Sequence, residues 1–204
     1  MQHIKNIIFD LGGVFLNINF AKTEAAFAQL GVTNFNSYIT QHSITDLFEL
    51  LETGKISPEE FYEGFRKKSA SILSDEQIAN AWNALLLDFP PERIAWLDVV
   101  RKKYNVFLYS NTNQIHYDAF TEMFKAQTGL PDFNSYFIKA WYSHELGLRK
   151  PYPASYLHIL NEQHLNATET LFIDDTLKNI EGAKEAGLQT IHLIHPNTVL
   201  DLDL

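Results

Sequence analysis

The chain has 204 residues and a formal net charge of −9, with 16 lysines and arginines against 25 aspartates and glutamates, and it contains no cysteine. The acidic balance excludes the basic footprint that nonspecific nucleic-acid binding requires, and the missing cysteines exclude thiol catalysis, disulfides and thiolate metal sites. A hydrophobic fraction of 46% is ample for one domain with a smaller lobe, while no apolar stretch is long enough to span a bilayer.

The opening residues Met1-Gln2-His3-Ile4-Lys5 lack the apolar core of a secretory signal, so the cytoplasm is the expected compartment. A short apolar run, Ile7-Ile8-Phe9, reads as the first strand and ends on Asp10, followed by Leu11-Gly12-Gly13-Val14. A strand that finishes in a carboxylate places it at the sheet rim, where open parallel sheets bind ligands. The two glycines let the backbone turn sharply and leave carbonyls and N–H groups facing that rim.

From Phe20 to Asp88 there is no strand candidate. Ser43 precedes Ile44, Leu47, Phe48 and Leu51, a helical stripe that stops at Gly54. Ser57-Pro58-Glu59-Glu60 combines an N-cap, a proline at the first helical position and a capping-box glutamate. Ser74 with Gln77 repeats the box before Ile78, Trp82 and Leu85. Four short amphipathic helices are therefore expected as a small bundle over residues 19–88, inserted into a core formed by 1–18 and 89–204. Asn17–Asn19 and Asp88-Phe89-Pro90-Pro91 are the expected hinges. The basic runs Arg66-Lys67-Lys68 and Arg101-Lys102-Lys103 read as cations near helix C-termini, and the phenylalanine and tryptophan stripes as core.

In the second half, near-continuous apolar runs alternate with helical patterns. Strands are expected at Asn105–Ser110, Tyr136–Ala140, Thr170–Asp174 and Thr190–Ile194, and helices around Gln114–Ala126, Ala154–Glu162 and Leu177–Ala186, the last stopped by Gly187. This alternation predicts an α/β fold: a Rossmann-like parallel sheet with helices on both faces and the helical insertion.

Four stretches at these strand ends carry chemistry. Asp10 alone could be a helix cap, an ion-pair partner or a nucleophile. Ser110-Asn111-Thr112 offers a hydroxyl and backbone N–H groups to a phosphate oxygen, although serine and asparagine are also ordinary turn residues. Lys150, held on a loop by Pro151, could reach the rim and offset negative charge, or be solvated. Asp174-Asp175, with Asn179 further on, is a repelling carboxylate pair that a cation would hold. Hard oxygen ligands indicate Mg2+ rather than a transition metal. The eight histidines form no H-x-x-x-H or H-x-E pattern, which argues against zinc.

The order Asp10-x-Gly-Gly-Val, Ser110-Asn-Thr, Lys150-Pro and Asp174-Asp175-x-x-x-Asn179 resembles the haloacid dehalogenase (HAD) superfamily along nearly the whole chain. The stretch from Glu52 to Phe61 is similar to the helical cap of its sugar-phosphatase and epoxide-hydrolase-type phosphatase branch, as is Asn179-Ile180-Glu181-Gly182-Ala183. The resemblance implies a Mg2+-dependent phosphatase acting on a small phosphorylated metabolite, perhaps a sugar phosphate, as a monomer or homodimer, with no nucleic-acid or membrane partner. It implies Asp10 as nucleophile and metal ligand, the Gly12 carbonyl, Asp174 and Asp175 as further ligands, Ser110 and Asn111 as phosphate-binding groups, and Lys150 as charge compensator.

One position departs from the family pattern. Most of its phosphatases carry an aspartate two residues after the nucleophile as general acid/base, and here that residue is Gly12. His42, Glu49 and Glu52 are the candidate substitutes. The alternatives are a metal-independent dehalogenase, against which Asp174-Asp175 speaks, and a weakly active phosphometabolite-binding protein, which Gly12 favours.

Overall fold

The computed structural model describes residues 3–33, 35 and 42–204, with the side chains of all of these except 42–46. Five parallel strands, β1 (Asn6–Phe9), β2 (Asn105–Ser110), β3 (Lys139–Tyr142), β4 (Thr170–Asp174) and β5 (Gln189–His192), form one sheet in the order β3-β2-β1-β4-β5. The alternation of side chains along each strand feeds two cores. Ile7, Phe9, Val106, Leu108, Leu171 and Ile173 pack on one face against α5 (Pro91–Val100) and α6 (Gln114–Thr128). Ile8, Phe107, Tyr109 and Phe172 pack on the other against α8 (Pro153–Glu162) and α9 (Leu177–Glu185). Burial on both faces explains why the strands read as continuous apolar runs.

The helical insertion lies between β1 and β2. Its described helices are α1 (Phe20–Gln29), α2 (His42–Glu52), α3 (Pro58–Ser69) and α4 (Asp75–Asn83). Both expected capping boxes form: Ser57 with Glu60 and Ser74 with Gln77. Arg66, Lys67 and Lys68 occupy the last turn of α3, where they complement the helix dipole. The side chain of Ser43, the expected cap of α2, lies outside the described residues. Phe27, Phe61, Phe65, Ile78 and Trp82 make a separate core, which Ile115 of α6 joins. The two connecting segments run side by side: Asn17 N–H donates to the Asp88 carbonyl at 2.8 Å, Leu87 N–H to that of Asn17 at 3.0 Å, and Asn19 N–H to that of Leu85 at 2.8 Å.

The third strand departs from expectation. Phe133–Tyr136 is a single 3-10 turn, capped by Asp132 whose side chain accepts from Asn134 N–H at 2.8 Å, and the strand proper is Lys139–Tyr142. Phe133, Tyr136 and Phe137 are buried at helical rather than alternating spacing, so Tyr136, the expected first residue of the strand, closes a turn instead, while Lys139 and Ala140 are strand as expected. The last strand is displaced the other way, from the expected Thr190–Ile194 to Gln189–His192. A short helix, α7 (Ser143–Leu146), follows β3 directly.

Candidate active site

Strand register builds the site. Phe9 pairs with Ile173 across β1 and β4, so Asp10 emerges beside Asp174 at the carboxyl edge, and Asp10 N–H donates to the Ile173 carbonyl at 2.9 Å. This is the point where strand order reverses, the ligand-binding crevice of open α/β sheets. Asp10, Asp174 and Asp175 each offer a carboxylate oxygen within 4.8 Å of the others. Asp10 and Asp174 are buried, whereas Asp175 is exposed.

Lys150 closes the cluster from the opposite side. Its Nζ donates to Asp10 Oδ1 at 2.6 Å and to Asp174 Oδ2 at 2.7 Å, and lies 5.4 Å from the centroids of both the Tyr109 and the Phe172 rings. The Asn111 side chain fixes the lysine's backbone, its Nδ2 donating to the Lys150 carbonyl at 2.9 Å and its Oδ1 accepting from Lys150 N–H at 3.0 Å. Gly182 of α9 presses so closely on the Pro151 carbonyl that a Cβ there would overlap it. Asn111 thus meets Lys150 through its side chain, which leaves its backbone N–H to any bound phosphate. Ser110, at the end of β2, is buried, and among the described residues its hydroxyl makes only one long contact, 3.5 Å to the Asn111 carbonyl. Behind it, Ser143 pins the loop by accepting from Thr112 N–H and donating to the Thr112 carbonyl, both at 2.9 Å.

Asp174 is almost saturated. Its Oδ1 accepts from Thr176 N–H at 2.8 Å, and Asn179 Nδ2 reaches both of its oxygens at 3.1 and 3.0 Å, in addition to the lysine. Among the described residues Asp175 accepts a side-chain bond only from the Thr176 hydroxyl, at 3.2 Å. Burial pushes the Asp10 carboxyl up to about 7; Lys150 opposes that shift, and Asp174 and Asp175 add to it. Burial also raises Asp175, reinforced by Asp174. For Lys150, burial alone would favour the neutral amine, but Asp10 and Asp174 outweigh it and hold the ammonium firmly protonated.

The two glycines divide the turn between them. Gly13, not Gly12, has the left-handed backbone, φ +75°, and a Cβ on it would overlap the Asp175 carboxylate. Gly12 has no positive φ, and a Cβ there would come within 3.1 Å of the Ile18 side chain.

Beside this cluster lies a cavity of about 360 Å3 between the insertion and the sheet rim. Gly12, Ser110, Asn111 and Arg149 line it from the core, and Phe48, Glu52 and Trp82 from the insertion. Phe48 and Trp82 stack at 4.8 Å and 4°. Across the seam Arg149 pairs with Glu52 at 3.0 Å and Glu49 at 3.5 Å. His116 of α6 stacks on Trp82 at 5.0 Å, and its Nδ1 bonds Asn83 Oδ1 at 2.7 Å. Burial drives this imidazole down to about 3, so it is neutral at ordinary pH. His42 begins α2, but its side chain lies outside the described residues.

Residues 4–187 match the model of the haloacid dehalogenase-like hydrolase family. The chain belongs to that family. It is 33% identical over 187 residues, 92% of its length and 90% of the relative's, to a D-ribitol-5-phosphate phosphatase of Bacteroides thetaiotaomicron. A sesquiterpene phosphatase of Aspergillus oryzae is 29% identical, over 93% of this chain and 89% of that one. Among solved structures, a HAD family enzyme of Bacteroides thetaiotaomicron in complex with magnesium and inorganic phosphate superposes with a TM-score of 0.81 at 33% identity, covering 93% of each chain.

The sequence alone did not single out three contributors. His116 and Trp82 lack local motifs, and Ser143 has no signal beyond following a strand. Arg149 did have one, its place next to Lys150, but its partners on α2 are set by tertiary packing.

Proposed function

We propose that the protein is a Mg2+-dependent phosphomonoesterase acting on a small phosphorylated metabolite through an aspartyl-phosphate on Asp10. One observation carries the reading. Three carboxylates converge on a point with a single ammonium, so the four groups, all ionised, sum to −2. A phosphate dianion could not approach that charge unless a divalent cation offset it. The donor set fits Mg2+: hard oxygens, one of them on the exposed and lightly bonded Asp175. Asp10, Asp175 and the Gly12 carbonyl would hold the ion. Asp174, its oxygens already occupied, would act through water and by holding Lys150. When bound, Mg2+ supplies positive charge against the phosphoryl oxygens and lowers the repulsion of attack.

The chain's own groups then have distinct tasks. Lys150 occupies Asp10 Oδ1, which leaves Oδ2 with a lone pair for phosphorus. Ser110 Oγ, with only a 3.5 Å contact of its own, and the Asn111 N–H receive phosphoryl oxygens, and Lys150 balances the charge that accumulates. Residues 19–88 act as the cap and 1–18 with 89–204 as the core, with Asn17–Asn19 and Asp88–Pro91 as hinges that let the cap exclude water. The named activities of the ribitol-phosphate and sesquiterpene phosphatases support a phosphate ester whose carbon body lies in the cavity, where aromatic faces meet a few polar groups. The ribitol-phosphate relative favours a polyol or sugar phosphate.

The test is a panel of polyol, sugar and aryl phosphates assayed with Mg2+ and after exhaustive EDTA treatment, alongside Asp10→Asn. Turnover is expected only with the metal, and the variant is expected to retain less than about one part in a thousand of kcat with its fold intact. Full activity in EDTA, or a few per cent of kcat in Asp10→Asn, would defeat the proposal.

A further inference from the structure

An alkyl phosphate needs its leaving oxygen protonated, and the residue two after Asp10 is a glycine. Several cavity groups could substitute, and their surroundings separate them. His116 is neutral, and its one N–H is directed at Asn83 Oδ1, so its free nitrogen accepts and cannot donate. Arg149 carries a guanidinium, which does not give up a proton in proteins, and Lys150 is held protonated by Asp10 and Asp174. Ser110 and Thr112 carry hydroxyls far too weakly acidic to serve. Glu49 forms the longer, outer contact of Arg149 and does not line the cavity. Among the described residues, Glu52 is the carboxyl group on the cavity wall, opposite Gly12 and Ser110.

Its setting suits proton transfer. The Glu52 oxygen turned to Arg149, Oε2, is out of solvent and makes no well-aligned hydrogen bond, as does Arg149 Nε. Oε1 has no hydrogen-bond partner among the described residues. Burial raises the carboxyl, Arg149 opposes this, Glu49 adds to it and Lys150 opposes it, with the net direction upward. Burial thus favours the acid that a leaving oxygen needs, and Arg149 lies within reach to stabilise the carboxylate left behind.

We infer that Glu52, supplied by the helical insertion, is the proton donor and acceptor that replaces the missing side chain at position 12. The inference rests on the phosphatase reading above. In the first half-reaction the bond between phosphorus and the ester oxygen breaks as Asp10 Oδ2 bonds to phosphorus. The Glu52 proton passes to that oxygen, and the alcohol leaves. Glu52 is then a carboxylate beside Arg149. In the second half it takes a proton from water as the water oxygen attacks phosphorus, which frees the Asp10 carboxylate and inorganic phosphate and restores the acid. Because the group sits on the insertion, the acid would be in place only when the insertion is seated on the core. Gly54, whose Cβ would overlap the His144 carbonyl, fixes the end of α2 against that core.

The test compares an alkyl and an aryl ester, ribitol 5-phosphate and 4-nitrophenyl phosphate, in the full-length protein with Mg2+. Glu52→Gln should lower kcat on the alkyl ester at least about 30-fold, within the 10²–10⁴ range of acid–base catalysis or just below it. It should change the aryl ester, whose phenolate leaves unaided, less than about threefold. Arg149→Gln breaks the same ion pair but keeps the acid, so it should move both esters together. Adding Gly12→Asp to Glu52→Gln should restore the alkyl ester selectively, because position 12 has ordinary backbone and faces the same cavity. In the wild-type protein, kcat should depend only weakly on leaving-group acidity across a series of aryl and alkyl phosphates. An equal loss on both esters in Glu52→Gln, or no loss on either, would overturn the role. So would a steep leaving-group dependence in the wild type, which needs no variant to fold. If the wild type turned over neither ester with Mg2+, the phosphatase reading would fall, and the Glu52 assignment with it.

Discussion

Replacing Lys150 by methionine removes a charge and little else. The side chain is buried, with Nζ 5.4 Å from the Tyr109 and Phe172 ring centroids, and methionine is an unbranched apolar chain of similar length that can occupy the space. What is lost is the ammonium that touches Asp10 at 2.6 Å and Asp174 at 2.7 Å, all three groups being buried. Burial already pushes Asp10 up to about 7 with Lys150 opposing the shift, so without the lysine the three carboxylates must either keep a proton or face −3 with no internal cation. Deleting one partner of a buried ion pair costs about 3–5 kcal/mol, because the other charge stays buried and unpaired. In a chain of this size each kcal/mol moves Tm by about 2–4 °C, so a fall of about 6–20 °C is expected in EDTA. Saturating Mg2+ should recover more of Tm in the variant than it adds to the wild type, since ligand binding to the folded state alone stabilises it. Adding Asp174→Asn should recover part of the loss without metal, with a coupling of about 1 kcal/mol or more. Thermal unfolding of the wild type, Lys150→Met, Asp174→Asn and the double variant, with and without Mg2+, measures every term. A Tm for Lys150→Met within about 2 °C of the wild type in EDTA would refute the electrostatic account of the cluster.

Two further outcomes follow from the same geometry. Gly13→Ala should cost about 1–2 kcal/mol through its left-handed backbone and, by displacing the Asp175 carboxylate that its Cβ would overlap, raise the Mg2+ concentration for half-maximal activity at least about tenfold; a metal titration with unchanged midpoint would reject Asp175 as a ligand. Beryllium fluoride with Mg2+ should slow amide exchange at Asn17, Asn19 and Leu87, whose N–H groups bridge the two connecting segments, and at His116 on the seam; identical exchange with and without the mimic would argue against a closing cap.

Much of this protein is written in local signals. The apolar runs around Ile7–Phe9, Val106–Tyr109 and Leu171–Ile173 specify buried strands because both faces are covered, and the boxes at Ser57 and Ser74 specify helix starts because they satisfy orphan N–H groups within three residues. Those signals sufficed for a parallel α/β sheet with a helical insertion, and the order of the motifs sufficed for the family. The turn at Phe133–Tyr136 escaped because a short aromatic run has no period of its own: its conformation is chosen by Asp132, which caps it, and by the core that its rings enter. Tertiary structure decided what depends on register and on packing between distant elements. That Asp174 is saturated by Asn179, Thr176 and Lys150 while Asp175 is left almost unbonded is a consequence of side-chain direction at the end of β4, invisible in two identical letters. That Gly13 has no room for a side chain is set by the Asp175 carboxylate resting where its Cβ would be. The meeting of Glu52 with Arg149, and of His116 with Trp82 and Asn83, joins residues whose neighbours in sequence say nothing of one another, because the contact exists only once the insertion is folded onto the rim of the sheet.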